Sequence, residues 1–222
     1  MCGRYSLTSP AEAMVALFVA GPLAGFQPRY NVAPSQAMPV VRHAEAGGRE
    51  WAWLRWGLIP SWAKDPAIGN RMINARSESV ADKPAFRAAF RRRRCLVPAD
   101  GFYEWQQQGG VKQPWRITLA EGGPFAFAGL WERWSPGAGE AVETYTILTT
   151  AANRSLAPIH PRMPVILAPE HYAVWLGDGQ VADPRLLEPL LAPYPDARLV
   201  ATAVARRVND QRHDDAGCLE PA

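Results

Sequence analysis

Two glycine pairs do most to limit what this chain can become. Gly47-Gly48 lies between apolar runs at residues 38–42 and 51–59, and Gly109-Gly110 divides residues 101–107 from 114–119. Glycine reaches positive φ at no steric cost, so such a pair between runs of aromatic and β-branched residues specifies a tight hairpin. Antiparallel strands joined this way set the class of the fold. Further strands are expected at residues 95–97, 125–131, 144–149, 163–167 and 198–208.

Helices should be few and short. Ser9-Pro10-Ala11-Glu12 reads as N-cap, first-turn proline and the glutamate that closes a capping box. Met14, Leu17 and Phe18 give that helix its apolar face, and Gly21 its stop. A second helix is expected around Phe86, Ala89 and Phe90, ending in Arg91-Arg92-Arg93-Arg94, which reads as a solvated helix end favoured by the dipole. Two more are expected at residues 169–176, stopped by Gly177, and at residues 184–191. Residues 22–28 and 30–36 read as loop. The expected architecture is one α+β domain over residues 1–210, with a mostly antiparallel sheet curled toward a barrel and peripheral helices. Residues 211–222 are polar and read as a flexible tail.

Composition excludes several classes. An apolar content of 48% with nine tryptophans fits a globular protein. No apolar run approaches the roughly 18–20 residues of a membrane span, and the N-terminus lacks a signal-peptide layout, so a cytoplasmic protein is expected. The three cysteines show no CxxC spacing and the four histidines are scattered, so neither a disulfide framework nor a metal or other cofactor is expected. A net charge of +3 does not by itself imply nucleic acid. The bases are nearly all arginine, whose fork suits phosphate, although codon composition alone explains most of that bias.

The chemistry is concentrated at four places. If Met1 is removed, Cys2 carries an amine and a thiol on adjacent carbons, with ordinary pKa values of about 8 and about 8.5. Such a group condenses with an aldehyde to a Schiff base and closes to a thiazolidine, which no internal cysteine can do. The plain alternative is a frayed terminus with an incidental cysteine. Asn74 and Arg76 sit two apart in a polar stretch, where they face one way if extended, or form a surface loop. Glu104 stands between Tyr103 and Trp105, either as a desolvated acid–base group or as an outward strand position. His160, between apolar and proline residues, is either structural or the partner of a thiol.

Six stretches in order carry a resemblance: Met1-Cys2-Gly3-Arg4, Tyr30-Asn31-Val32-Ala33-Pro34, Trp56-Gly57-Leu58-Ile59-Pro60-Ser61-Trp62, Asn74-Ala75-Arg76-Ser77-Glu78, residues 94–105, and Ile159-His160-Pro161-Arg162-Met163-Pro164. Together they resemble the SOS-response-associated peptidase family, also described as abasic-site processing proteins. The resemblance implies removal of Met1 and covalent capture of abasic sites in single-stranded DNA by Cys2. It implies that Asn74 positions the opened sugar and that Glu104 and His160 move protons. Beside these residues, Arg4, Arg76 and Arg162 are expected to meet flanking phosphates, and Trp62 to offer a stacking surface. The expected protein is a monomer without cofactor or obligatory protein partner, cytoplasmic and nucleoid-associated when bound to DNA. Two other functions fit the same residues: a Cys-His peptidase or amidase acting in trans, and a noncovalent single-strand DNA-binding module.

Overall fold

The computed structural model describes residues 2–135, 137, 139–177 and 186–222. In chain order the elements are β1 (Tyr5–Leu7), α1 (Ala11–Phe18), β2 (Arg29–Val32), β3 (Ala37–His43), β4 (Arg49–Trp56), β5 (Asn74–Arg76), α2 (Arg87–Arg92), β6 (Arg94–Ala99), β7 (Gly101–Gln108), β8 (Val111–Leu119), β9 (Phe125–Trp134), β10 (Val142–Ala151), β11 (Arg162–Pro164), β12 (Ile166–Leu167), α3 (Tyr172–Leu176) and β13 (Leu199–Ala203). Short 3₁₀ turns fill several of the connections.

The fold is α+β, with two sheets. In the first, strands run β10-β4-β3-β6-β9, and β9 pairs again with β10, so five strands close into a barrel. β5, β11 and β12 extend its rim. Pairing is antiparallel except where β4 and β5 run parallel to β10. Burial alternates along β4 as the two-residue period demands: Ala52, Leu54 and Trp56 are buried, while Trp53 and Arg55 are exposed. The second sheet is antiparallel, in the order β13-β8-β7-β1-β2. It packs on the barrel through Tyr5, whose ring lies 5.3 Å from Trp56 and 5.9 Å from Phe127, and through Phe102, 5.9 Å from Phe127. Each of these fully buried rings contributes about 1.5–3 kcal/mol of transfer free energy. The edge-to-face pairs add about 0.5–1.5 kcal/mol each.

Both glycine pairs turn as expected, with φ of 92° and 77° at Gly47 and Gly48 and 53° and 84° at Gly109 and Gly110. Gly57 ends β4 at φ 120°, where an added Cβ would lie 2.7 Å from the Gly69 carbonyl oxygen. From there the chain makes an excursion through Trp62 and returns as β5, continuing the line of β4 beside β10.

Several expectations are corrected. Ser9 does not cap α1: its amide and hydroxyl go to Asp100, at 2.8 and 3.2 Å, and Pro10 occupies the cap position. The helix stops at Val19, in the left-handed region at φ 50°, before Gly21 is reached. Residues 30–32 belong to strand β2 rather than to a loop. The last strand ends at Ala203, and a 3₁₀ turn follows at Arg206–Asn209. Arg94 is no solvated helix end. It is buried in β6 and donates to the carbonyls of Phe90 and Arg91, at 2.9 and 2.8 Å, and to that of Trp175. The expected helix at residues 184–191 begins outside the described residues, and its described end is a 3₁₀ turn, Glu188–Leu191. Residues 213–221 are packed rather than frayed. Cys218 is fully buried, Pro221 bridges to Val204, and Asp214 accepts from the amides of Tyr30 and Asn31 at 2.5 and 2.9 Å.

Candidate active site

The N-terminal strand is held where a terminus would otherwise fray. β1 lies between β7 and β2, with Tyr5 opposite Phe102 and Ser6 opposite Gly101. The pairing continues outward: the Tyr103 amide donates to the Arg4 carbonyl at 3.0 Å, so the next step brings Gly3 alongside Glu104. The other end of β1 is tied to Asp100, at the junction of β6 and β7. The Asp100 carboxylate accepts from the Ser6 hydroxyl (2.7 Å), the Thr8 hydroxyl (2.8 Å), and the amides of Thr8 and Ser9, while Arg116 lies 3.2 Å away. Cys2 is fully buried, with its sulfur 3.9 Å from the Arg4 carbonyl oxygen. Burial, and then the charge of Glu104, push the thiol well above its ordinary pKa, so it stays protonated.

On β7, side chains alternate between two faces. Tyr103 and Trp105 reach one way: the Tyr103 hydroxyl donates to the Tyr30 carbonyl at 2.7 Å, and the Trp105 indole to Asn209 at 2.6 Å. Glu104 and Gln106 reach the other way, toward the loop that carries His160, and Gln106 Nε2 donates to the Pro158 carbonyl at 3.0 Å. Glu104 is 4% exposed, and burial raises its carboxyl to about 7. His160 Nδ1 lies 4.0 Å from Glu104 Oε1. The same nitrogen lies 3.1 Å from the Arg162 amide and 3.0 Å from the Arg162 carbonyl oxygen, which fixes the ring against its own turn. That turn is organised by Asn153, whose Oδ1 accepts from Ser155 and Leu156 at 3.1 and 3.0 Å. Burial lowers the His160 pKa, favouring the neutral ring.

The remaining sequence-derived residues fall into three places. Asn74 and Arg76 lie on β5 beside β10, opposite Ile147 and Thr149. Asn74 Nδ2 reaches the Ile147 carbonyl at 3.5 Å, while its buried Oδ1 has no hydrogen-bond partner among the described residues. Arg162, on β11, is paired with Glu78 and also donates to the Thr149 carbonyl at 2.5 Å. Arg4 turns toward the C-terminal segment, where Nη1 donates to Asn31 Oδ1 at 2.8 Å and to the Val208 carbonyl at 3.0 Å. Trp62 is 60% exposed on the excursion between β4 and β5. The fold thus gathers Cys2, Glu104 and His160, sets Asn74, Arg76 and Arg162 around the end of β10, and holds Arg4 and Trp62 apart from these. Sequence reasoning passed over Asp100, Gln106 and Glu78. Each lies in or beside a motif, but its partner is distant in sequence, and only the fold reveals it.

A family described as SOS response associated peptidase matches residues 1–211. The abasic site processing protein YoaM of Bacillus subtilis is 43% identical over 224 residues, covering 99% of this chain and 98% of its own length. The abasic site processing protein HMCES of Mus musculus is 31% identical over 272 residues, covering 100% of this chain and 76% of its own. A crystal structure of a Bacteroides thetaiotaomicron protein superposes with a TM-score of 0.89 at 26% identity, covering 100% of both chains. One from Bordetella bronchiseptica superposes with a TM-score of 0.78 at 34% identity, covering 92% of this chain and 100% of its own.

Proposed function

This chain belongs to the SOS response associated peptidase family, and from that premise we propose that it captures abasic sites in single-stranded DNA by a covalent bond to Cys2. The observation that carries the reading is the seating of Cys2 beside a carboxyl with a pKa of about 7, with His160 4.0 Å from that carboxyl. The names of the relatives, abasic site processing proteins, suggest the substrate class.

The sequence of bonds follows from which group is reactive first. After removal of Met1, the neutral Cys2 amine attacks the aldehyde carbon of the ring-opened sugar. The neutral His160 ring takes a proton from the attacking nitrogen and delivers it to the carbinolamine oxygen, which leaves as water, and an imine remains. The thiol, protonated in its buried setting, then adds across that imine. Sulfur bonds to the former aldehyde carbon, and the thiol proton passes through Glu104 to the nitrogen. One water is released overall, and the product is a thiazolidine. A carboxyl with a pKa of about 7 is present in both forms near neutrality, so Glu104 can take a proton in one step and return it in another. The unpartnered Oδ1 of Asn74 is a ready acceptor for a hydroxyl of the opened sugar. Arg76 and Arg162 contact flanking phosphates, with Arg4 and Trp62 contributing further along the strand. The protein works as a monomer without a cofactor, in the cytoplasm, on damaged chromosomal DNA.

The raised thiol disfavours a peptidase acting in trans, because that chemistry needs a thiolate and hence a lowered pKa. The test is incubation with an abasic single-stranded oligonucleotide followed by a denaturing gel. A persistent shifted band is expected, from protein whose intact mass lacks Met1. Cys2→Ser should leave a band only after borohydride reduction of the Schiff base. A stable band from untreated Cys2→Ser, or from protein that retains Met1, overturns the mechanism.

A further inference from the structure

We infer that Glu78 is a built-in competitor for the DNA backbone, a carboxylate that occupies on Arg162 the place a phosphate takes in the complex. The inference rests on the proposed single-stranded DNA substrate. Both terminal nitrogens of Arg162 face Glu78: Nη1 pairs with Oε1, and Nη2 lies 3.0 Å from Oε2. This is the two-pronged geometry by which arginine also grips phosphate. The burial of the pair is uneven. The Arg162 side chain is 16% exposed and that of Glu78 is 54% exposed, so the carboxylate covers the guanidinium from the solvent side, as an arriving anion would.

Arg76 is near enough to act as well. It is exposed at the end of β5, and its charge adds to that of Arg162, whose hydrogen bond is the main cause holding the Glu78 carboxyl below its ordinary pKa. Glu78 therefore stays ionised beside two arginines proposed to hold phosphates. The guanidinium is also incompletely satisfied in this position. Its Nε is buried and has no hydrogen-bond partner among the described residues, although Nη2 reaches the Thr149 carbonyl and hydroxyl at 2.5 and 3.3 Å. Glu78 can turn away into solvent, because its side chain is 54% exposed beside the 3₁₀ turn at Ser77–Ser79. Binding a phosphate at Arg162 then means breaking the pair and swinging the carboxylate aside. The consequence is weaker binding of any strand that supplies only backbone, which favours strands held in addition by the lesion.

The experiment measures noncovalent binding of an undamaged single-stranded oligonucleotide across a salt series, beside crosslinking of the abasic oligonucleotide. Glu78→Gln should bind several-fold more tightly at low salt, with a log–log salt slope steeper by up to about 0.7, one further phosphate contact. Glu78→Asp keeps the charge and should gain little. Arg162→Ala should bind more weakly, and adding Glu78→Gln to it should restore nothing. Unchanged or weaker binding by a folded Glu78→Gln protein overturns the inference, as does a gain that persists without Arg162. If the wild type crosslinks while Glu78→Gln gains nothing, only the competitor fails. If the wild type neither binds nor crosslinks, the substrate reading fails and the inference falls with it.

Discussion

At Glu104 the environment changes which proton state is present near neutrality. Its ordinary pKa is about 4.3, and burial raises it to about 7 in the folded protein. Below the ordinary value both states hold the proton and the group costs nothing. As pH rises toward 7, the unfolded chain releases its proton while the folded chain keeps it, so stability falls through that window. It levels off once the folded carboxyl also ionises, after a loss of roughly 3–4 kcal/mol. Glu104→Gln should remove this slope, which urea unfolding at about pH 5 and about pH 8 will measure. The same variant should slow crosslinking and lose the limb of the rate profile near pH 7. That the carboxyl is desolvated was one of the two readings its place between two aromatics allowed, and burial decides between them; the direction it faces was not legible. Pairing of β7 with β1 and β8 turns Tyr103 and Trp105 to one side and Glu104 to the other. Arg94 shows the opposite case. Four arginines in a row look alike in sequence, and what separates the last is the Trp175 carbonyl, 81 residues away.

β1 is the element on which the site depends. Its three residues are too few to hold position by ladder bonds alone, and Asp100 supplies the rest through Ser6, Thr8 and Ser9. Asp100→Ala removes the shared acceptor and leaves Arg116 without its buried partner. A loss of roughly 3 kcal/mol is expected. Hydrogen exchange should quicken first at the amides of Thr8 and Ser9, and crosslinking should fall further than the unfolded fraction explains. Thr8→Val, which deletes one of several donors, should cost about 1 kcal/mol. Hairpins and strand positions were readable because glycine pairs and aromatic runs are local signals. β2 was not, because Asn31, Pro34 and Ser35 are turn-forming residues. The strand is made by its neighbours: β1 pairs with it, and Asp214 accepts the amides of Tyr30 and Asn31.

Across the whole molecule, the segment after β13 completes what the N-terminus begins. Asn31 Nδ2 donates into three of its carbonyls, those of Val208, Asp210 and His213, at 3.2, 3.1 and 2.8 Å, while Arg4 grips Val208 from the other side. Polar composition suggested fraying, but Asp214 and the carbonyls of Val208, Asp210 and His213 find partners on Tyr30 and Asn31, while Arg212 does face water. Ending the chain after Asn209 should lower stability by roughly 3 kcal/mol or more, since it strands Asn31 and removes Asp214. It should also abolish most crosslinking, which thermal melts and gels will show together. The contact between Arg4 and Val208 spans 204 residues. Synthesis runs from the amino end, so Arg4 and the cysteine near it leave the ribosome ahead of Val208, the partner 204 residues further on that helps anchor their strand. An N-terminal aminothiol is reactive toward any metabolic carbonyl it meets. Anchoring Arg4 and Asn31 only once that later segment is made ties the placement of the reactive end to the folding of residues far along the chain.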